Sequence, residues 1–421
     1  MSPALSAGRD MAMGSRDGSR HSDNSDDADP DAADESLGGH DSNGHDSNDA
    51  NGEERKQPVL DGEVEKEEVE GVEEEEEEDD DDASASDSSS NYSSVSEDPL
   101  PPIYAYGHSY HGSGRIVMPN DKLENDRQKY QHELFTLVLG GALTFTKLPL
   151  DGLTAESPPF HILDVGSGGG FWAVEMAQTN ACVDVLGIEL SGLHLPKEVP
   201  PNLTFEIADA AEKWPPRLYD FIHMRNLVGG GIRDWKALLH EAYAHLKPGG
   251  QLEFTEITPL VFGADPDPAG AETVENLEEG GRRVRAVAGL ACIEYGILFH
   301  DISKEQGLDF DPAPKIGPWL LELGAEGLRQ RSDWLPVRSW GSDPLIRKKG
   351  ELLNKMVECG IDSWPLRMFG LAGWEEHETK ALLARVQQEM ENPVLRSCIK
   401  VTFTTAKKPL RKHDIVHQND Q

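Results

Sequence analysis

The sequence is poor in cysteine, with four residues, Cys182, Cys292, Cys359 and Cys398, in a chain of 421. No two of them form a C-x-x-C pair, which argues against a zinc knuckle or a redox pair, and no metal site is expected. No apolar h-region follows the N-terminus, so no secretory signal is expected. No run of 18 apolar residues occurs, which argues against a membrane span. These absences fit an intracellular, reducing compartment. Basic side chains are also scarce, and unevenly so. Residues 1–98 hold 33 acidic side chains against 6 basic ones, so −27 of the formal net charge of −38 lies there. The rest of the chain is mildly acidic and has no lysine-rich stripe with interleaved aromatics. Direct nucleic-acid binding is therefore disfavoured.

Residues 1–98 are rich in Asp, Glu, Ser, Gly and Asn instead. Glu73 to Asp82 is an unbroken run of ten carboxylates, and Gly39-His-Asp-Ser-Asn43 is repeated as Gly44-His-Asp-Ser-Asn48. Such a density of like charge repels itself, and little apolar surface is present to offset the entropy of ordering. A disordered acidic tail is expected. It reads either as a solvating tail, which is favoured, or as an arm for a basic protein partner such as a chromatin protein. The serines from Ser84 to Ser96, set among carboxylates, suit an acid-directed kinase. Residues 99–410 are expected to form one α/β domain, with 99–157 as an N-terminal cap segment and 258–325 as a helical insertion. Residues 411–421 read as a basic and polar tail. Lys407-Lys-Pro-Leu-Arg411-Lys412 reads equally as a nuclear import signal or a solvated basic terminus.

Within the domain, Leu123 to Leu139 has amphipathic helical spacing, with Asp121 placed to cap it and Glu124 near its positive end. Phe160–Val165, Val183–Glu189, Leu203–Ala208, Tyr219–Met224 and Gln251–Ile257 read as strands. Phe171–Gln178 and Trp235–Leu246 read as helices, the second stopped by Pro248-Gly249-Gly250. Arg329–Trp340 and Ile399–Thr405 are candidates for two last strands. Strands alternating with helices imply βαβ units and a mostly parallel, Rossmann-like sheet of seven strands with flanking helices. In such sheets ligands bind beyond the carboxyl ends of the strands.

Those ends carry the chemistry. The first strand runs into Asp164-Val-Gly166-Ser167-Gly168-Gly-Gly170-Phe171, which fails G-x-G-x-x-G because position 171 is Phe. It fits D-x-G-x-G-x-G, and so resembles the loop of class I methyltransferases. Glycines there let the backbone turn tightly and approach a ligand. An acid at the loop's start suits a cationic ligand better than a pyrophosphate. Glu189 closes the next strand, 23 residues beyond Gly166, where a carboxylate accepts both ribose hydroxyls of a nucleoside. Asp209, between Ala208 and Ala210, is placed for an adenine amino group, or as the N-cap of a following helix. S-adenosylmethionine is the expected cofactor. Its expected site takes in Asp164, Gly166, Ser167, Gly168, Gly170, Glu189, Leu190, Asp209, Ala210, Met224 and Arg225.

The chain also resembles the fungal LaeA-like methyltransferases from about Tyr110 to Pro409. The residues that carry this are Ile116-Val-Met-Pro-Asn-Asp121-Lys-Leu-Glu124-Asn-Asp-Arg127, Leu163-Asp-Val-Gly-Ser-Gly-Gly-Gly-Phe-Trp-Ala173 and Gly187-Ile-Glu-Leu-Ser191. Val199-Pro-Pro-Asn202, Asp220-Phe-Ile-His-Met-Arg225, Asp234-Trp235, Leu246-Lys-Pro-Gly-Gly250 with Glu253 and Glu256, and Ala406-Lys-Lys-Pro409 complete it. Two departures stand out. The family's proline- and glutamine-rich turn is here Gly192-Leu-His-Leu-Pro196, and its pair of acids after the third strand is reduced to Asp209. The resemblance implies S-adenosylmethionine-dependent methyl transfer and, since members regulate secondary metabolism, a nuclear setting. It leaves open a small-molecule acceptor, a protein acceptor, and a weakly catalytic docking role.

Methyl transfer from a sulfonium asks mainly for positioning and exclusion of water, and for a base only when the nucleophile holds its proton tightly. His223 is the candidate base, against the favoured alternative of a structural histidine. Arg225 reads either as a grip on an acidic substrate or as the partner of a pocket carboxylate. Tyr104, Tyr106, His108, Tyr110 and His111 form a cluster that reads either as acceptor-pocket lining or as a packed lid.

Overall fold

The computed structural model describes residues 100–154, 156–263, 290–340 and 342–410. The acidic tail expected over 1–98, the tail over 411–421, the end of the basic run at Arg411-Lys412 and the middle of the expected insertion lie outside them.

A short antiparallel hairpin comes first, β1 (Ile103–Ala105) with β2 (His108–Tyr110). Helix α1 (Lys122–Val138) follows, capped by Asp121, whose Oδ1 accepts the Glu124 N–H at 3.0 Å. Then come β3 (Phe160–Val165), α2 (Phe171–Thr179), β4 (Val183–Glu189), β5 (Leu203–Ile207) and β6 (Tyr219–Arg225). After α3 (Trp235–Ala244) and β7 (Leu246–Gly263), the chain passes through α4 (Leu290–Glu305), α5 (Ala313–Glu322) and β8 (Glu326–Pro336). Helices α6 (Pro344–Gly360), α7 (Ser363–Leu371) and α8 (Glu376–Glu391) precede the last strand, β9 (Ser397–Lys407).

The seven long strands form one sheet in the order β5-β4-β3-β6-β7-β9-β8. β5, β4, β3, β6 and β7 pair in parallel, and β9 alone runs against both its neighbours. This is the mostly parallel, Rossmann-like sheet that the alternating pattern predicts. β3 and β6 read as near-continuous apolar runs because both faces of the sheet are covered. Their side chains alternate between two cores. Ile162 and Phe221 join Trp172 and Met176 of α2, whereas Leu163, Val165, Ile222 and Met224 join Leu238 and Leu239 of α3. No helix among the described residues is long and apolar enough to cross a membrane.

Several expected boundaries move. Helix α3 ends at Ala244, because Leu246 already pairs with Tyr219 as the first residue of β7, ahead of a register shift. β7 runs on to Gly263, so the expected insertion does not begin at 258. The strand continues through an irregularity between Thr258 and Val261, the stretch that holds Pro259. Helices α4 and α5 do supply helical structure within 258–325. β8 ends at Pro336, so Trp340 lies beyond it; its indole N–H donates to the Ser397 carbonyl.

Candidate functional site

The carboxyl ends of β3, β4, β5 and β6 open on a cavity of about 160 Å³. Beyond Val165 the chain turns through Gly166 and Gly168 at φ of 68° and 57°, the left-handed region where a side chain is strained. The turn is held from outside: the Gly168 N–H donates to Glu189 Oε2 at 2.7 Å, and the Gly169 N–H to Gln128 Oε1 of α1 at 3.0 Å.

Asp164, His223 and Trp172 form one packed unit. Asp164 and His223 are register neighbours on adjacent strands, so their side chains share a face. The His223 Nδ1–H donates to Asp164 Oδ1 at 2.7 Å, since a carboxylate only accepts, and the imidazole stacks on Trp172 at 3.8 Å. Both residues are almost wholly buried. Asp164 Oδ2 is buried and has no hydrogen-bond partner. The arrangement favours the structural role for His223, as the group that orients Asp164.

Glu189 lies between the glycine turn and the start of the next loop. Besides Gly168, it accepts the Leu190 N–H at 2.8 Å and the Ser191 N–H at 3.3 Å through Oε1. Burial nevertheless raises its pKa, outweighing these three donors. Asp209 accepts the Ala211 N–H at 2.8 Å, and its Oδ2 takes the guanidinium of Arg115. It closes a turn and caps no helix, because the residues after it run irregularly to β6.

Arg225 pairs with no carboxylate directly among the described residues. Its guanidinium donates to His132 Nδ1 at 3.3 Å, and His132 Nε2–H donates to Glu175 at 2.6 Å. Burial, and then the Arg225 charge, press the His132 pKa down to about 4, so a neutral imidazole links the two charges. Burial likewise lowers Arg225 to about 10.

Of the expected cofactor residues, Asp164, Gly166, Ser167, Gly168, Glu189, Leu190, Asp209, Ala210 and Arg225 line the cavity, as does His223. Gly170 and Met224 do not. Gly170 starts α2 at φ 74°, against Phe205 and Pro196. Met224 lies between His223 and Arg225, so strand alternation sends it to the opposite core. Among the aromatic and histidine cluster only His111 lines the cavity. Tyr110 is packed and donates to the Ser363 carbonyl at 3.1 Å, His108 binds Asp121, and Tyr104 is 77% exposed.

Sequence reasoning missed the wall opposite the strand ends. Arg115, Met118 and Asn120 come from the segment before α1, and Gln128 and Gln131 from α1 itself. A signal was present: Glu124, Arg127, Gln128 and Gln131 recur at helical spacing, and Glu124, Arg127 and Gln131 are buried. Polar groups on the inward stripe of a helix mark a site or a buried ion pair. In the departing turn, His194 also lines the cavity, with Nε2 buried and unpartnered, and burial lowers its pKa.

Glu256 is 1% exposed at the far side of β7. Its Oε1 accepts the N–H groups of Leu227 at 2.6 Å and Val228 at 3.2 Å. Burial pushes its carboxyl up from 4.5 to about 8. Through that interval the folded chain keeps a proton that the unfolded chain has lost. Its contribution to stability is therefore full at low pH and falls away as pH rises through the folded value. Glu256→Gln is expected to flatten the loss of stability between about pH 6 and about pH 8, a slope of up to roughly 1.4 kcal/mol per pH unit. Urea unfolding across that range checks it; parallel profiles for the two proteins would mean the carboxyl is solvated.

Comparison with known proteins agrees with this geometry. The methyltransferase-domain family model matches residues 130–286. Methyltransferase pytC of Aspergillus terreus is 30% identical over 315 residues, 73% of this chain and 88% of that protein. The secondary metabolism regulator laeA of Aspergillus fumigatus is 26% identical over 76% of this chain and 80% of its own. The secondary metabolism regulator LAE1 of Cochliobolus heterostrophus is 36% identical over a shorter stretch, 36% of this chain and 49% of its own. The sheet order, the glycine turn between Asp164 and α2, and these relatives together show that the chain belongs to the LaeA-like fungal methyltransferases.

Proposed function

We propose that this methyltransferase takes its methyl group from S-adenosylmethionine, bound in the cavity at the ends of β3 to β6. Asp164 Oδ2 carries the reading. It is a buried carboxylate oxygen without a partner, on the wall of a cavity beside a glycine turn. Such an atom costs about 1–3 kcal/mol until a donor arrives, and an amino acid's ammonium is that donor. Glu189 retains lone pairs for ribose hydroxyls after accepting its backbone N–H groups. Asp209 meets an adenine amino group once Arg115 releases it. The cofactor supplies an electrophilic methyl; the chain's work is to hold the reactants and exclude water.

Calorimetric titration of the full chain with S-adenosylmethionine and with S-adenosylhomocysteine tests this. Saturable binding is expected, weakened by at least about tenfold, roughly 1.4 kcal/mol, in Asp164→Asn. Absence of binding by both ligands would end the reading.

The relatives named secondary metabolism regulators favour a second reading, in which the chain acts in the nucleus on a protein acceptor. Incubation of the full chain with cell extract and cofactor labelled in its methyl group separates the two. Label in protein supports the second reading, and label in small molecules excludes it as the main activity.

A further inference from the structure

A second cavity, also about 160 Å³, adjoins the first and shares Arg127, Gln131 and Asn226 with it. Helices α4, α6, α7 and α8 bring Tyr295, Met356, Trp364 and Val386 to its walls, and Val228 and Ile399 complete an apolar lining. Besides Arg127 and Gln131, polar groups of Asn226, Trp364 and Glu256 interrupt it. Asn226 follows β6 at φ 52°, and its Oδ1 accepts the Ile257 N–H at 3.2 Å. That bond fixes which way the amide points, so Nδ2 is a buried donor, and it has no partner. Trp364 Nε1 is a second buried donor without a partner. Glu256 lines the same cavity, and no hydrogen bond reaches its Oε2 among the described residues.

The cavity carries little net charge. The Arg127 guanidinium is spent on Glu124, with both contacts at 2.7 Å. Glu256, with its pKa near 8, is mostly protonated at neutral pH. A cationic amine would find only a mostly protonated carboxyl there, and a carboxylate or phosphate no free cation. Two buried donors waiting for acceptors, among apolar and aromatic walls, suit a flat neutral molecule that carries oxygen.

We propose that this second cavity is the methyl-acceptor site, and that it takes a compact, neutral, hydroxylated aromatic molecule whose oxygen sits at Asn226, on the border with the cofactor cavity. The proposal rests on the cofactor reading above. In the transfer it serves, an oxygen–methyl bond forms as the sulfur–methyl bond of the cofactor breaks. The electron pair of the broken bond stays on sulfur, and S-adenosylhomocysteine leaves. The hydroxyl proton passes to the ionised fraction of Glu256, the carboxylate on the cavity wall, and from there to water.

The probe is 2-naphthol, with 2-naphthoate and 2-naphthylmethylamine as anionic and cationic compounds of similar size. Each is titrated into the full chain saturated with S-adenosylhomocysteine. Naphthol is expected to bind at least about tenfold more tightly than either charged compound, a gap of roughly 1.4 kcal/mol. Val386→Phe, which fills the cavity, is expected to abolish naphthol binding and to leave S-adenosylhomocysteine binding in place. Trp364→Phe, which removes one donor and keeps an aromatic wall, is expected to weaken naphthol severalfold. Glu256→Gln is expected to slow formation of naphthol methyl ether while naphthol still binds. Equal or tighter binding of a charged compound, no naphthol binding, or naphthol binding that survives Val386→Phe would overturn the proposal. Should S-adenosylhomocysteine itself fail to bind the unaltered chain, the cofactor reading falls instead, and the naphthol titration without it still decides the cavity's preference.

Discussion

Replacing Gly166 and Gly168 together with alanine is expected to abolish cofactor binding. Both residues sit at positive φ, where an alanine costs about 1–2 kcal/mol each. Space is short as well. A Cβ at 166 would lie 2.5 Å from Leu227 Cδ2, and one at 168 would lie 2.3 Å from Gln128 Oε1. The ends of those side chains are able to move, but both residues line the cavity, so each relaxation intrudes on ligand space. The loss therefore arises first within the protein's own turn and only then at the ligand. Calorimetry on the double variant, with its melting temperature measured alongside, checks this. Unchanged affinity in a folded variant would remove the turn from the site.

The largest stability effect is expected from Arg127→Ala. Glu124 is 3% exposed, and both its oxygens are held by the Arg127 guanidinium at 2.7 Å. The same guanidinium lies 5.2 Å over the Trp364 ring. Removing it leaves a carboxylate buried with only Gln128 Nε2, at 3.1 Å, as a neutral side-chain donor. Such a break costs about 3–5 kcal/mol. Glu124→Leu combined with Arg127→Met, which removes both charges and keeps the volume, is expected to recover most of the loss. Urea unfolding of the three proteins measures it. A single-variant cost below about 1 kcal/mol would place the pair among solvent-screened ones.

The cofactor half of the molecule was legible because its signals are local. β3 and β4 are recovered to the residue, since strands buried on both faces are near-continuous apolar runs, bounded here by Pro159 and Gly166, or by Cys182 and Leu190. The acids at the strand ends follow from the same register. Arg115 was not legible. Its engagement of Asp209 joins residues 94 apart, and nothing in either neighbourhood announces it. The second cavity was hidden for a related reason. The sequence reading assigns no helix over 344–391, where α6, α7 and α8 supply much of its wall, so its lining has no address in the pattern. Glu256 is among the residues that carry the family resemblance, but its proton depends on burial beneath helices that sequence spacing does not assign.

The position of β9 has a consequence for synthesis. β9 lies between β7 and β8, and among the described residues it is the only strand with which β8 pairs. A growing chain that has released β3 to β7 from the ribosome already owns the parallel half of its sheet and the acids that face the cofactor. β8 follows, with no strand to join until Ser397–Lys407 emerges some sixty residues later. Until then one edge of β7 stays open to pairing with a neighbouring chain. The last strand therefore acts as a closing stitch, and a nascent chain halted ahead of it carries an unguarded edge on an otherwise formed cofactor half.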